Sequence, residues 1–332
     1  MPQTSPDDVA GAGAPVAVDV YRPPRPLDLV HTLVPLRHGG GDPVWRWTRD
    51  GAVWWATRTA DGPATLRLEP RSGAVHAAAW GPGAERVVAG VPALLGADDD
   101  DSTFPAHLHP LVHRAHRALP GLRIGRTGQV WEQLVPAVLE QRVVGLDAQA
   151  SWRALVRRHG TPAPGPAPEG LTVAPPAPVW RDLPVWEWRR AGVDAQRHGT
   201  VARAAAVAHA LGADLGAAEL TRRLRTVPGI GPWTAAEVTS RALGDVDAVS
   251  VGDLHLPDLV GWSLAGRRTD DAGMLELLEP FRPQRLRAVR LLEVAGRLHA
   301  GRALRGRAPS SDPALGRPCA RLTLPSSDPA PG

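Results

Sequence analysis

Between residues 44 and 68 apolar and polar positions alternate with a period of two, in Val44-Trp45-Arg46-Trp47-Thr48, Ala52-Val53-Trp54-Trp55-Ala56-Thr57 and Ala64-Thr65-Leu66-Arg67-Leu68. Asp50-Gly51 and Asp61-Gly62 punctuate these runs, and such dipeptides supply the positive φ that tight hairpin turns need. The pattern predicts an antiparallel sheet of four or five strands within Val20–Val91, with its tryptophans in the sheet core and a helix near Ala84–Leu95. Farther along, the period lengthens to that of a helix: Val130, Leu134 and Val138, then Trp152, Leu155 and Val156 before Gly160. Further helices are expected over Thr200–Leu211, Ala217–Arg225, Pro232–Leu243, Leu256–Leu264 and Phe281–Leu298. In the second of these, Leu220 and Leu224 face inward and Arg222, Arg223 and Arg225 outward. The fold class is therefore α+β, an antiparallel sheet domain with helices over residues 19–101 followed by an all-α domain over residues 102–305.

Composition narrows the class. The 332 residues are 43% hydrophobic and 22% charged, as globular chains are, and long enough for two cores. Residues 1–18 and 306–332, rich in Pro, Ala, Gly, Ser and Asp, are expected to be disordered. No apolar run is long enough to span a bilayer and Met1–Ala14 lacks a basic segment followed by an apolar one, so the expectation is a soluble cytoplasmic protein without a membrane partner, and a monomer. The single cysteine, Cys319, permits neither a disulfide framework nor a cysteine metal cluster. All 38 basic side chains are arginine against 34 carboxylates. Asp98–Asp101 is expected to be a solvated loop and domain boundary. His107, His109, His113 and His116 cluster, but with no carboxylate or cysteine to complete a metal site, a surface helix is the better expectation. No metal-dependent step is required.

The most informative stretch is Val227-Pro228-Gly229-Ile230-Gly231-Pro232-Trp233-Thr234-Ala235, two glycines around one apolar residue between two helical patterns. Glycine permits the tight turn, Pro232 suits a first helical position, and Ile230 would plug the gap between the helices. The amides of Gly229, Ile230 and Gly231 would then point outward at a helix N-terminus, a seat for phosphate. Downstream, Val249-Ser250-Val251-Gly252-Asp253-Leu254-His255-Leu256 runs from a strand-like segment into Gly-Asp. Upstream lies Trp131-Glu132-Gln133-Leu134-Val135-Pro136-Ala137-Val138-Leu139-Glu140-Gln141-Arg142.

These three segments resemble the helix-hairpin-helix DNA glycosylases, in particular the 3-methyladenine-DNA glycosylase II family. The resemblance implies a partner, double-stranded DNA containing damaged bases, and a reaction, excision of a flipped base. It implies Asp253 as catalytic carboxylate and Trp233 as a base-pocket aromatic, unless that indole is core packing behind the hairpin. Leu254 and His255 also fall in the pocket segment, and Glu237, Leu254 and Arg290 fall where relatives carry further aromatics. For DNA binding the candidates are Val227, Gly229, Ile230, Gly231, Thr234, Gln141, Arg142 and Arg222. Arg142 stands where the family places the wedge that fills the hole left by the flipped base, and either stacks there, contacts phosphate or is merely exposed. No cofactor is implied beyond a monovalent cation on the hairpin carbonyls.

Breaking a base–deoxyribose bond builds oxocarbenium character on the sugar, which a fixed carboxylate stabilises while orienting water. A purine already cationic from alkylation leaves without a protonating acid, so one aspartate suffices; Asp245, Asp247 and Asp258 are read as caps or surface charges. Strand-cleaving relatives use an amine, and where those acting through the hairpin carry lysine this chain has Trp233. A monofunctional enzyme is expected, unless the N-terminal amine intervenes. Its rivals are a glycosylase of this fold for oxidised or deaminated purines, and a non-catalytic DNA-binding module.

Overall fold

The computed structural model describes the backbone of residues 13–304 and the side chains of residues 13–296; the expectations for residues 1–12 and 305–332 lie outside the described residues. In chain order the elements begin with β1 (Ala17–Tyr21), α1 (Leu29–Leu33), β2 (Trp45–Trp47), β3 (Val53–Thr59), β4 (Gly62–Arg71) and β5 (Ala74–Trp80). Next come α2 (Ala84–Ala89), α3 (Val91–Leu94), α4 (Pro110–Ala118), α5 (Val130–Leu139), α6 (Gly145–His159) and the short pair β6 (Thr161–Pro162) and β7 (Thr172–Val173). The remainder is helical: α7 (Ala177–Asp182), α8 (Val185–Arg190), α9 (Ala195–Ala206), α10 (Ala217–Leu224), α11 (Pro232–Leu243), α12 (Leu256–Ala265), α13 (Asp271–Leu278) and α14 (Arg285–Leu304). Strands and helices thus form the expected α+β fold.

The contacts do not follow the linear cut expected near residue 101. One compact unit gathers residues up to Arg22, Arg37–Pro92 and Trp131–Leu211; the other gathers Pro23–Leu36, Ala93–Val130 and Gly212 onward. Periodicity identifies elements but carries no information on which distant elements share a core.

The first unit holds the five-stranded antiparallel sheet, ordered β1-β5-β4-β3-β2. β1 begins at Ala17, pairing with Ala79, so residues 17 and 18 belong to the sheet and not to a disordered leader. The tryptophans are core, as expected: Trp45 and Trp55 stack at 5.1 Å, and Trp54 stacks on Trp80 at 5.6 Å. β2 covers only Val53–Trp55 of its neighbour, leaving the amide of Arg58 for α5 to satisfy. Glu132 accepts it at 2.7 Å and the Thr57 hydroxyl at 2.8 Å. Burial raises the pKa of this carboxyl to about 7, overcoming the two hydrogen bonds that favour its charged form.

The second unit packs α4, α12, α13 and α14 around Phe104, Val112, Met274, Leu278, Phe281 and Leu291. Here the acidic run proves not to be a solvated loop. Asp99 is buried and forms an ion pair with the equally buried Arg287 of α14, while also accepting the Ile124 amide at 2.9 Å. Asp101 is shared among Arg25, Arg123 and His116. Three arginines remote in sequence supply the counter-charge that makes burial tolerable, which a local charge count cannot anticipate. Of the histidine cluster, His109 caps α4 by accepting the Leu111 amide at 3.2 Å, and His116 pairs with Asp101.

Candidate active site and nucleic-acid interface

The turn between α10 and α11 forms as its glycines require. Gly229 takes φ +98°, a conformation costly for any side chain, and Gly231 is extended at the N-cap of α11. Ile230 is buried, but its amide donates to the Val227 carbonyl at 3.0 Å, so it is spent inside the turn and does not face outward. The Gly231 amide donates to no acceptor among the described residues. Val227 and Thr234 are also buried, so neither presents its side chain to a ligand. A carbonyl with one N–H keeps a second lone pair, so Val227 remains compatible in kind with a cation ligand.

Arg222 is exposed, but Glu219 grips it through two hydrogen bonds of 2.7 Å and also binds Arg223. The Arg222 and Arg223 guanidiniums hold the Glu219 carboxyl down at about 2. Arg225, exposed at the C-cap of α10, makes no ion pair among the described residues. It therefore offers the better-placed free charge beside the hairpin.

Asp253 follows Gly252, whose φ of +93° turns the chain sharply out of the 249–251 segment. Its Oδ1 accepts the amides of His255 at 2.8 Å and Leu256 at 2.9 Å, satisfying backbone donors at the N-terminus of α12. Its Oδ2 accepts the indole Nε1 of Trp233 at 3.0 Å. One turn farther along α11, Glu237 accepts the hydroxyl of Ser250 and pairs with Arg241. Side chains at i and i+4 share a helix face, so α11 grips the 250–253 loop twice.

Beside this loop lies a cavity of about 370 Å³ within the second unit, lined by Asp253, His255, Glu237, Arg241, Arg290 and Glu293 among others. Of its three carboxylates, Glu237 pairs with Arg241 and Glu293 with Arg290, whereas Asp253 has no guanidinium partner among the described residues. The other aspartates near the loop are engaged elsewhere: Asp247 accepts the Arg285 amide and guanidinium at the start of α14, Asp258 binds Arg268, and Asp245 accepts the Asp247 amide.

Two pocket expectations change. Leu254 is 83% exposed and does not line the cavity. The Oδ1 bonds that turn Asp253 inward leave the next side chain pointing out. Trp233 does not line the cavity either; it is half-buried with its N–H on Asp253. None of the lining residues is Trp, Tyr or Phe.

Gln141 and Arg142 belong to the first unit, on the turn between α5 and α6. Arg142 is exposed and left-handed, with φ +54°, which is uncommon for a non-glycine residue and often marks a functional turn. Just beyond it, Val144 at the N-cap of α6 (65%) and Leu146 in its first turn (72%) are exposed, apolar side chains that the sequence pattern gave no reason to single out.

No protein-family model matches the chain. Over 171 residues, 49% of its length, it is 33% identical to a probable bifunctional transcriptional activator/DNA repair enzyme AlkA of Mycobacterium tuberculosis, and it spans 31% of that relative. Among solved structures it is similar to a 3-methyladenine DNA glycosylase from Archaeoglobus fulgidus, with a TM-score of 0.71 over 85% of this chain and 99% of that one, at 16% identity. It is also similar to an 8-oxoguanine glycosylase/lyase of Clostridium acetobutylicum in complex with dsDNA, with a TM-score of 0.63 over 87% and 100% of the two chains, at 12% identity. The chain therefore shares the fold of these solved glycosylase structures.

Proposed function

We propose that this chain is a monofunctional DNA glycosylase that flips a damaged nucleotide out of duplex DNA and hydrolytically releases alkylated purines of the 3-methyladenine type. The observation that carries this reading is Asp253, a carboxylate facing a cavity, aimed by three N–H donors and lacking a guanidinium partner among the described residues. An ion-paired carboxylate would have its charge compensated already. Asp253 is free to meet the positive charge that grows on deoxyribose as the base departs, and to orient the water that captures it.

Alkylation gives the purine a formal positive charge, so the base leaves as a neutral molecule and needs no protonating acid. With no lysine in the chain and Trp233 at the hairpin position where lyases resembling it carry an amine, the product is an abasic site in an unbroken strand. The Gly231 amide and Arg225 meet backbone phosphate, while the Gln141–Arg142 turn enters the stack that the flipped base leaves. The similarity to the AlkA relative and to the Archaeoglobus fulgidus glycosylase supports the reaction class.

A methylated duplex incubated with the purified protein tests the product. Strand breaks are expected only after alkali. Robust breakage without alkali would contradict the monofunctional reading.

A further inference from the structure

Glu237 is the unexpected group in the cavity. The family resemblance would put an aromatic there, yet the carboxylate lines the cavity with its side chain 15% exposed. Its orientation is fixed from two sides: Oε1 accepts the Ser250 hydroxyl and Oε2 pairs with Arg241, which is itself tied to the Pro35 carbonyl at 2.9 Å. A carboxylate has about four lone-pair sites. After these two partners, each oxygen retains one acceptor site. A preoriented pair of acceptors is complementary to a ligand edge with two adjacent donors.

Among purines that edge is guanine's, where N1–H and the N2 amino group stand side by side. Adenine offers its N6 amino group next to N1, an acceptor whose lone pair a carboxylate repels. No Trp, Tyr or Phe stands among the lining residues, so the cavity offers no large aromatic face to select a base by stacking. Resting on the excision reaction proposed above, we propose that Glu237 reads the flipped base by accepting hydrogen bonds from its Watson–Crick edge, and that the enzyme favours alkylated guanines over alkylated adenines.

Both bases can be followed in one tube. Duplex DNA treated with a methylating agent carries 7-methylguanine and 3-methyladenine, and each release rate is normalised to spontaneous depurination. Wild type should favour 7-methylguanine. Glu237→Gln, which replaces one acceptor by a donor, should cut 7-methylguanine release by about tenfold or more while changing 3-methyladenine release far less. Ser250→Ala, which removes one of the two partners that orient the carboxylate but leaves its charge and its Arg241 partner, should weaken the preference for 7-methylguanine less than Glu237→Gln does. Independently of any variant, free 7-methylguanine should inhibit wild type more strongly than free 3-methyladenine. Equal loss of both bases in Glu237→Gln, or equal inhibition by the two free bases, would reduce Glu237 to a loop clamp and overturn the inference while leaving the reaction intact. Release of neither base by wild type would overturn the inference and the proposed reaction together.

Discussion

The indole N–H of Trp233 is hydrogen-bonded to Oδ2 of Asp253 at 3.0 Å, joining the first turn of α11 to the start of α12 across 20 residues of chain. The bond gives the hairpin aromatic a job other than stacking. It fixes the carboxylate oxygen that the two α12 amides leave unrestrained.

Trp233→Phe separates the two roles, because it keeps an aromatic ring and deletes the donor. If Trp233 positions Asp253, kcat for base release should fall on the order of 10- to 100-fold with KM little changed, since misorienting a catalytic group raises the barrier without weakening substrate binding. A rise in KM with kcat preserved would indicate a stacking platform instead. Single-turnover and steady-state kinetics on one defined lesion duplex make the distinction.

On the DNA side, Arg222 and Arg225 should differ although they share one helix end. Arg222 is held by Glu219, whereas Arg225 has no ion-pair partner among the described residues. Replacing Arg225 by Ala should weaken duplex binding and reduce the slope of log K against log salt by about 1, as expected for one lost phosphate contact. Arg222→Ala should change that slope less. Fluorescence anisotropy titrations across a salt series would show it.

Stability should respond to pH through Glu132. Its folded pKa is raised from 4.5 to about 7, so the folded state binds more protons than the unfolded state within that window. By linkage, this group's contribution to stability is greatest below pH 4.5, declines as pH rises towards 7, and is at its most unfavourable above 7. Glu132→Gln cannot ionise and still offers an oxygen to the Arg58 amide. It should be more stable than wild type at pH 8, by on the order of 1 kcal/mol or more, and gain nothing at pH 4. Thermal melts at the two pH values measure this; an equal effect at both would contradict it.

Much of the fold was legible because its signals are local. The strands β3 and β4, the glycines of the hairpin and Pro232 opening α11 depend on near neighbours and form where the pattern predicts them, although β3 is buried on both faces and the 249–251 segment before Gly252-Asp253 forms no strand. The start of α9 was misplaced because Asp194, which caps it by accepting the Arg197 amide, lies outside the apolar repeat. What the sequence hid depends on remote partners. Asp99 meets Arg287 across 188 residues, so a run of acids that reads as solvent-exposed is partly interior. The same holds at the site. Gly-Asp marks the candidate carboxylate, but which neighbours point at it is a matter of side-chain direction: Leu254 turns to solvent, His255 lines the cavity, and Glu237 closes on Ser250.

The most direct measurement of the central claim is single-turnover base release by Asp253→Asn beside its affinity for the same duplex. The carboxylate account predicts that excision falls by a factor on the order of 100 or more while the dissociation constant stays close to that of wild type. Excision at the wild-type rate, with binding equally intact, would contradict it and put the catalytic group somewhere other than the start of α12.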